Sequence, residues 1–188
     1  AVFWAGIDGD VENCWFIGNK AIYDTNMVLV DSTGARINGG RGGAVYLTQC
    51  DHGNKNTTFK NVYFKDNVAG TNGGAIDWSA GATYGHIVNT TFINNTAKRS
   101  GGAVHWSGHY GSISNSTFTG NNATGEVTST IAGITGGGDG GAVLWAGING
   151  TVVTCRFIDN EAKRNKDYNM TGRGGAVYLG ICEHGNDN

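Results

Sequence analysis

The chain of 188 residues carries 33 Gly and 21 Asn, no Pro, and 13 Lys+Arg against 15 Asp+Glu, for a net charge of −2. Five Trp, seven Tyr and seven Phe among short apolar runs exclude a disordered chain; the missing proline excludes collagen, and so much Gly and Asn disfavours long helices. There is no basic patch for nucleic acid, and no run approaches the ~20 apolar residues that cross a bilayer, so neither nucleic-acid binding nor membrane insertion of this segment is expected.

Ala1-Val2-Phe3-Trp4 opens a frame that returns five times behind a glycine pair. The returns are Gly42-Gly43-Ala44-Val45, Gly73-Gly74-Ala75-Ile76, Gly101-Gly102-Ala103-Val104, Gly140-Gly141-Ala142-Val143 and Gly174-Gly175-Ala176-Val177. Two residues further on stand Leu47, Trp78, Trp106, Trp145 and Leu179. A second signature, Phe-x-x-Asn, alternates with the first at Phe16/Asn19, Phe64/Asn67, Phe92/Asn95, Phe118/Asn121 and Phe157/Asn160. Period-two alternation such as Val45/Leu47 and Val104/Trp106 predicts short strands with these side chains inward. Glycine pairs 31, 28, 39 and 34 residues apart, without helical periodicity, predict one coil of a parallel β-helix per repeat. Coils stacked at about 4.8 Å would build one ladder from the Trp/Leu positions and another from the Phe positions. The glycine pair is expected at a corner that needs φ > 0 or a missing Cβ. The recurrent Asn is expected at another corner, itself left-handed and bonded through its amide to the neighbouring rung. Proline would remove a donor from the ladder, so its absence fits.

Nearly all the variation in repeat length falls just after Phe-x-x-Asn, where insertions 20–40, 122–139 and 161–173 leave the same corner. Met27, Val28, Leu29 and Val30 in the first, and Ile131 and Ile134 in the second, are too apolar for a free loop. They are expected to pack on each other or on a neighbouring molecule as an assembly face. A longer period lies on top: Ala1 to Gly9 matches Ala142 to Gly150, and Arg41 to Asn54 matches Arg173 to Asn186, so a four-rung block repeats. The chain opens inside a motif at Ala1 and stops inside one at Asn188. The expectation is a single β-helix domain over 1–188, about five full rungs and a partial one. It is either a segment of a longer repetitive protein or a unit that stacks head to tail into a fibre.

The pairing of GGA(I/V) with FxxN resembles the repeats of the polymorphic outer-membrane proteins of chlamydiae. It is similar also to the Asn/Thr/Gly-rich repeats of adhesin-like surface proteins of methanogenic archaea. The resemblance spans essentially the whole chain. It implies an all-β, right-handed parallel β-helix, an extracellular or cell-surface location, and a role as adhesin stalk or filament subunit. Partners would be further copies of the chain, or a protein or glycan on another cell. The insertions after Asn19, Asn121 and Asn160 depart from the pattern.

Cys14 and Cys155 share one rung position, two residues before the ladder Phe, and Cys50 and Cys182 share another. Equivalent cysteines four rungs apart lie near ~19 Å, beyond disulfide reach. The pairing that treats both copies alike and joins neighbouring rungs is Cys14–Cys50 with Cys155–Cys182; four small thiols are the alternative. Cys50-x-His52 and Cys182-x-His184 lack two further ligands each, so no metal and no cofactor are expected. Outward on the first strand of each rung the sequence places Phe3, Tyr46, Asp77, His105, Leu144 and Tyr178. Asp77 and His105 are the one pair there with acid–base potential, and on a solvated face they read as ordinary surface, so no catalytic residue is expected. Tyr46, Tyr178 and Phe3 read as an exposed face for sugar stacking or protein contact. Among seven Asn-x-Ser/Thr sequons, Asn122, Asn149 and Asn169 are expected in loops and as glycan acceptors, whereas Asn89 and Asn115 are expected to serve turns. The alternative to a structural protein is a β-helix enzyme or tail-spike-like module acting on polysaccharide.

Overall fold

In the computed structural model, residues 2–22, 39–48, 54–126, 138–164 and 172–180 are described. Every strand pairing among them is parallel and joins one repeat to the next, which makes the chain a parallel β-helix. The first sheet stacks Val2–Trp4, Val45–Leu47, Ile76–Trp78, Val104–Trp106, Val143–Trp145 and Val177–Leu179, defining rungs one to six. Three further sheets stack five strands each; in rung three these are His86–Val88, Thr91–Ile93 and Thr96–Ala97. Register is strict: Trp78 pairs with Trp106 and Leu47, and Phe92 with Phe64 and Phe118. A one-residue slip would turn every core side chain outward.

Both inward ladders form as the spacing predicts. Trp78, Trp106 and Trp145 stack with centroids 4.1 and 4.7 Å apart. Phe16, Phe64, Phe92, Phe118 and Phe157 stack at 4.9, 5.0, 4.6 and 4.9 Å. The indole N–H groups of the three central tryptophans find carbonyls: Trp78 donates to Ala82 at 3.0 Å, Trp106 to Gly108 and Trp145 to Gly147 at 2.9 Å. The indole also dictates a glycine before the second strand, because a Cβ on Gly85 would lie 1.9 Å from the Trp78 ring and one on Gly150 equally close to Trp145. Rung two breaks this rule in a compensated way. Leu47 replaces the indole, Thr57 the glycine, and Phe59 takes the place of Ile87 and Ile113, meeting Trp78 edge-on with ring centroids 5.8 Å apart. Volume is moved across the core rather than lost.

The two corner residue types divide their work. In each glycine pair the first is left-handed, with φ of 58° at Gly42, 63° at Gly73 and 65° at Gly101. The second has no room for a side chain in the first four pairs, where a Cβ on Gly74, for example, would meet the Gly102 carbonyl at 1.9 Å. The Phe-x-x-Asn corner corrects one expectation. The left-handed residue is the one before the ladder Asn: Gly18, Asp66, Asn94, Gly120 and Asp159 have φ from 50° to 66°. The ladder Asn turns inward instead. Asn95 Oδ1 accepts from Asn67 N at 3.1 Å and Asn67 Nδ2 at 2.8 Å, while Asn95 Nδ2 donates to Phe64 O at 3.1 Å and Asn121 Oδ1 at 3.0 Å. Burying an amide costs free energy unless its bonds are made, and here two donors and a doubly used acceptor are all engaged. Asn13, Asn61, Asn89 and Asn115 do occupy left-handed turns, as expected of Asn89 and Asn115, and the first three join in a second, exposed amide ladder.

The insertions start later than the sequence places them. Lys20–Ala21, Asn122–Ala123 and Glu161–Ala162 are strands of the fourth sheet, fixed by the buried alanine ladder Ala69–Ala97–Ala123. Met27, Val28, Leu29, Val30, Ile131 and Ile134 lie outside the described residues.

Candidate functional site

The outward positions of the first sheet run Phe3, Tyr46, Asp77, His105, Leu144 and Tyr178 in paired register. Strand alternation puts them there, and the corner entering the strand adds Arg41, Arg99, Asp139 and Arg173 just before the glycine pairs. The resulting strip is charged at its centre and aromatic at both ends.

Asp77 is 0% exposed, which corrects the solvated pair read from the sequence. The reason is local. Arg41 reaches forward from the preceding corner, its Nε 2.6 Å from Asp77 Oδ2, and His105 Nδ1 lies 2.9 Å from Oδ1. Burial alone would raise the carboxyl pKa; the charges and hydrogen bonds of His105 and Arg41 overcome it and hold Asp77 below the ordinary carboxylate range. Burial would likewise lower Arg41, but Asp77 and then Tyr46 leave it raised. One rung pair further on, Arg173 grips Asp139 with Nε–Oδ1 at 3.0 Å and NH2–Oδ2 at 2.7 Å, a two-pronged contact that raises the guanidinium pKa. Between these two pairs stands Arg99, lowered by burial and by the charge of Arg41 against the pull of Asp139 and Asp77.

The tyrosines are less open than the sequence implies. Arg41 lies over the Tyr46 ring at 5.0 Å and Arg173 over Tyr178 at 4.5 Å, so both rings are half-buried and cationic on one face. Phe3 is 67% exposed and meets Tyr46 edge-on at 5.7 Å. The same Arg–Tyr device thus appears on rungs two and six, on the two copies of Arg-Gly-Gly-Ala-Val-Tyr. The signal in the sequence is an Arg five residues before a Tyr across the glycine corner, Arg41 before Tyr46 and Arg173 before Tyr178.

Chemically the strip is a set of fixed ion pairs. Both oxygens of Asp77 are engaged, so it is not poised to take up a proton. His105 is anchored through Nδ1, and the next residue of the column is Leu144.

Elsewhere, Cys14 and Cys155 occupy equivalent half-buried places, their Sγ atoms 3.1 Å from Glu12 O and 3.2 Å from Val153 O. Burial pushes the Cys155 thiol up. Cys50 and Cys182, with His52 and His184, lie outside the described residues, as does Asn169. Asn149 sits in an exposed left-handed turn, as expected. Asn122 does not lie in a loop: it is in strand Asn122–Ala123, paired with Thr96 and Glu161, and its Oδ1 is buried without a hydrogen bond.

Fold and strip together define a parallel β-helix repeat protein whose first sheet bears an ordered charged and aromatic face. Residues 61–77 and 89–105 match the Chlamydia polymorphic membrane protein repeat. Each matched stretch starts at a left-handed Asn, passes through Phe-x-x-Asn and the glycine pair, and ends on the outward column, at Asp77 and at His105. No curated protein and no solved structure matches the chain.

Proposed function

We propose that this chain is a non-enzymatic surface protein: a β-helical stalk that presents the first-sheet face to a partner and associates with further copies into a fibre. The match of two rungs to a membrane-protein repeat supports an extracellular, surface-exposed setting. Adhesion is supported by the Arg–Tyr pairs, which recur four rungs apart on one face and would give a partner two equivalent grips. The single observation that carries the reading is the unbroken parallel register. Rung one pairs with rung two as rung five pairs with rung six, residue for residue, so a stiff rod can be extended by the same contacts. The locked Asp77 supports a non-catalytic role for the strip.

The test is immunogold labelling of intact cells, with soluble chain added as competitor of cell attachment. Surface label and lost attachment are the expected results. Label confined to the interior overturns the reading, as does a polysaccharide turnover that Asp77→Asn abolishes.

A further inference from the structure

A further column of left-handed residues lies at the turn before the second sheet: Asp8, Asn56, Tyr84, Tyr110 and Asn149, with φ between 52° and 57°. Backbone bonds fix it, from Asp8 N to Lys55 O, Asn56 N to Thr83 O, Tyr84 N to His109 O and Tyr110 N to Ile148 O. Asp and Asn tolerate this backbone; a bulky aromatic there is an outlier, and strain of that kind gathers at functional positions. Here two tyrosines on adjacent rungs carry it side by side. Their rings stack at 5.0 Å and 13°, yet remain 46% and 42% exposed.

The stack ends abruptly on both sides. Beyond Tyr84 the column holds Asn56, and beyond Tyr110 it holds Asn149, both short and exposed. The far face of each ring therefore looks along the rod toward a short, exposed Asn one rung away. The polar surroundings are equally specific. Asn56 Nδ2 donates to Asp8 Oδ1 at 2.9 Å, and Asn56 is itself exposed. His109 stands edge-on to Tyr110 at 6.3 Å, and its Nδ1 accepts from Ile148 N at 3.2 Å, which leaves Nε2 as the ring nitrogen open to a ligand. An apolar ring face bordered by amide and imidazole groups is complementary to a pyranose whose C–H face is flat and whose hydroxyls lie at its rim.

We propose that Tyr84 and Tyr110 form a carbohydrate-binding platform, distinct from the first-sheet strip, on which β-linked hexose rings extend the tyrosine stack over Asn56 and Asn149. It gives the surface reading a ligand class but stands on different residues, so either can fail alone. The test is binding of the intact chain to cellohexaose and chitohexaose by calorimetry, comparing wild type with Tyr84→Asn/Tyr110→Asn. Asn is the residue the column uses elsewhere, so the variant is expected to melt within a few degrees of wild type while binding falls at least tenfold. Tyr84→Phe/Tyr110→Phe, which keeps the ring faces, is expected to retain most of it. Binding undiminished in the Asn variant overturns the proposal. So does absence of binding by wild type to both oligosaccharides, or loss of binding only in step with a collapse of the melting temperature.

Discussion

Replacing Asn95 by Ala removes the centre of the buried amide ladder. Asn67 N–H loses its partner, and an orphaned buried donor costs about 1–3 kcal/mol. The bonds from Asn67 Nδ2 to Asn95 Oδ1 and from Asn95 Nδ2 to Phe64 O and Asn121 Oδ1 go as well, at about 0.5–1 kcal/mol each. The expected loss is therefore about 4 kcal/mol, a large part of the ~5–15 kcal/mol that holds an ordinary domain together. Asn19→Ala provides the internal standard. Asn19 is half-buried at the edge of the ladder and gives up one side-chain bond, to Asn67 Oδ1 at 2.9 Å, while its backbone N–H keeps that same oxygen at 3.0 Å. Its expected cost is about 1 kcal/mol. Urea titrations followed by tryptophan fluorescence read both, with the slope checked for two-state behaviour. Costs for the two variants within about 1 kcal/mol of each other would refute the view that the ladder, rather than the local turn, carries the energy.

Gly74→Ala is expected to prevent folding, because its Cβ would sit 1.9 Å from Gly102 O and 2.6 Å from Thr96 N, whereas Gly18→Asn, at φ 66° with nothing within 4 Å, should express and melt like wild type. In rung two, Leu47→Trp alone should destabilise by about 1–3 kcal/mol through overpacking. Adding Thr57→Gly and Phe59→Ile should recover most of that, and a cycle without coupling would contradict the compensation. Asp77 is held below its ordinary range when folded, so the stability it contributes is present above its unfolded value of about 3.9 and is lost as pH falls through the folded value. The difference in melting temperature between wild type and Asp77→Asn should accordingly be full at neutral pH and shrink below about pH 4; parallel curves would be contrary. Intact mass after non-reducing alkylation is expected to show no free thiol if Cys14–Cys50 and Cys155–Cys182 are bridged, and four labels would exclude the pairing.

Much of the fold was legible in the sequence because a solenoid repeats its signals. The strand phase of Val45/Leu47 and Val104/Trp106, the Phe and Trp ladders and the glycine corners each recur at fixed offsets, and every recurrence had to satisfy the same contacts. What escaped was set by neighbours one rung away. Asn67 was read as a left-handed corner, but that conformation belongs to Asp66, and only the stacking of Asn95 above it makes inward burial of the amide favourable. Asp77 read as surface because its covering partners, Arg41 and His105, come from the rungs before and after. Asn122 read as loop because the Asn122–Ala123 strand is two residues long, too short to show a period.

Negative-stain imaging of native material tests the central claim most directly. Unbranched rods or fibres of uniform narrow width are expected, as axial stacking of an uninterrupted parallel ladder requires. A homogeneous field of compact globular particles would contradict it.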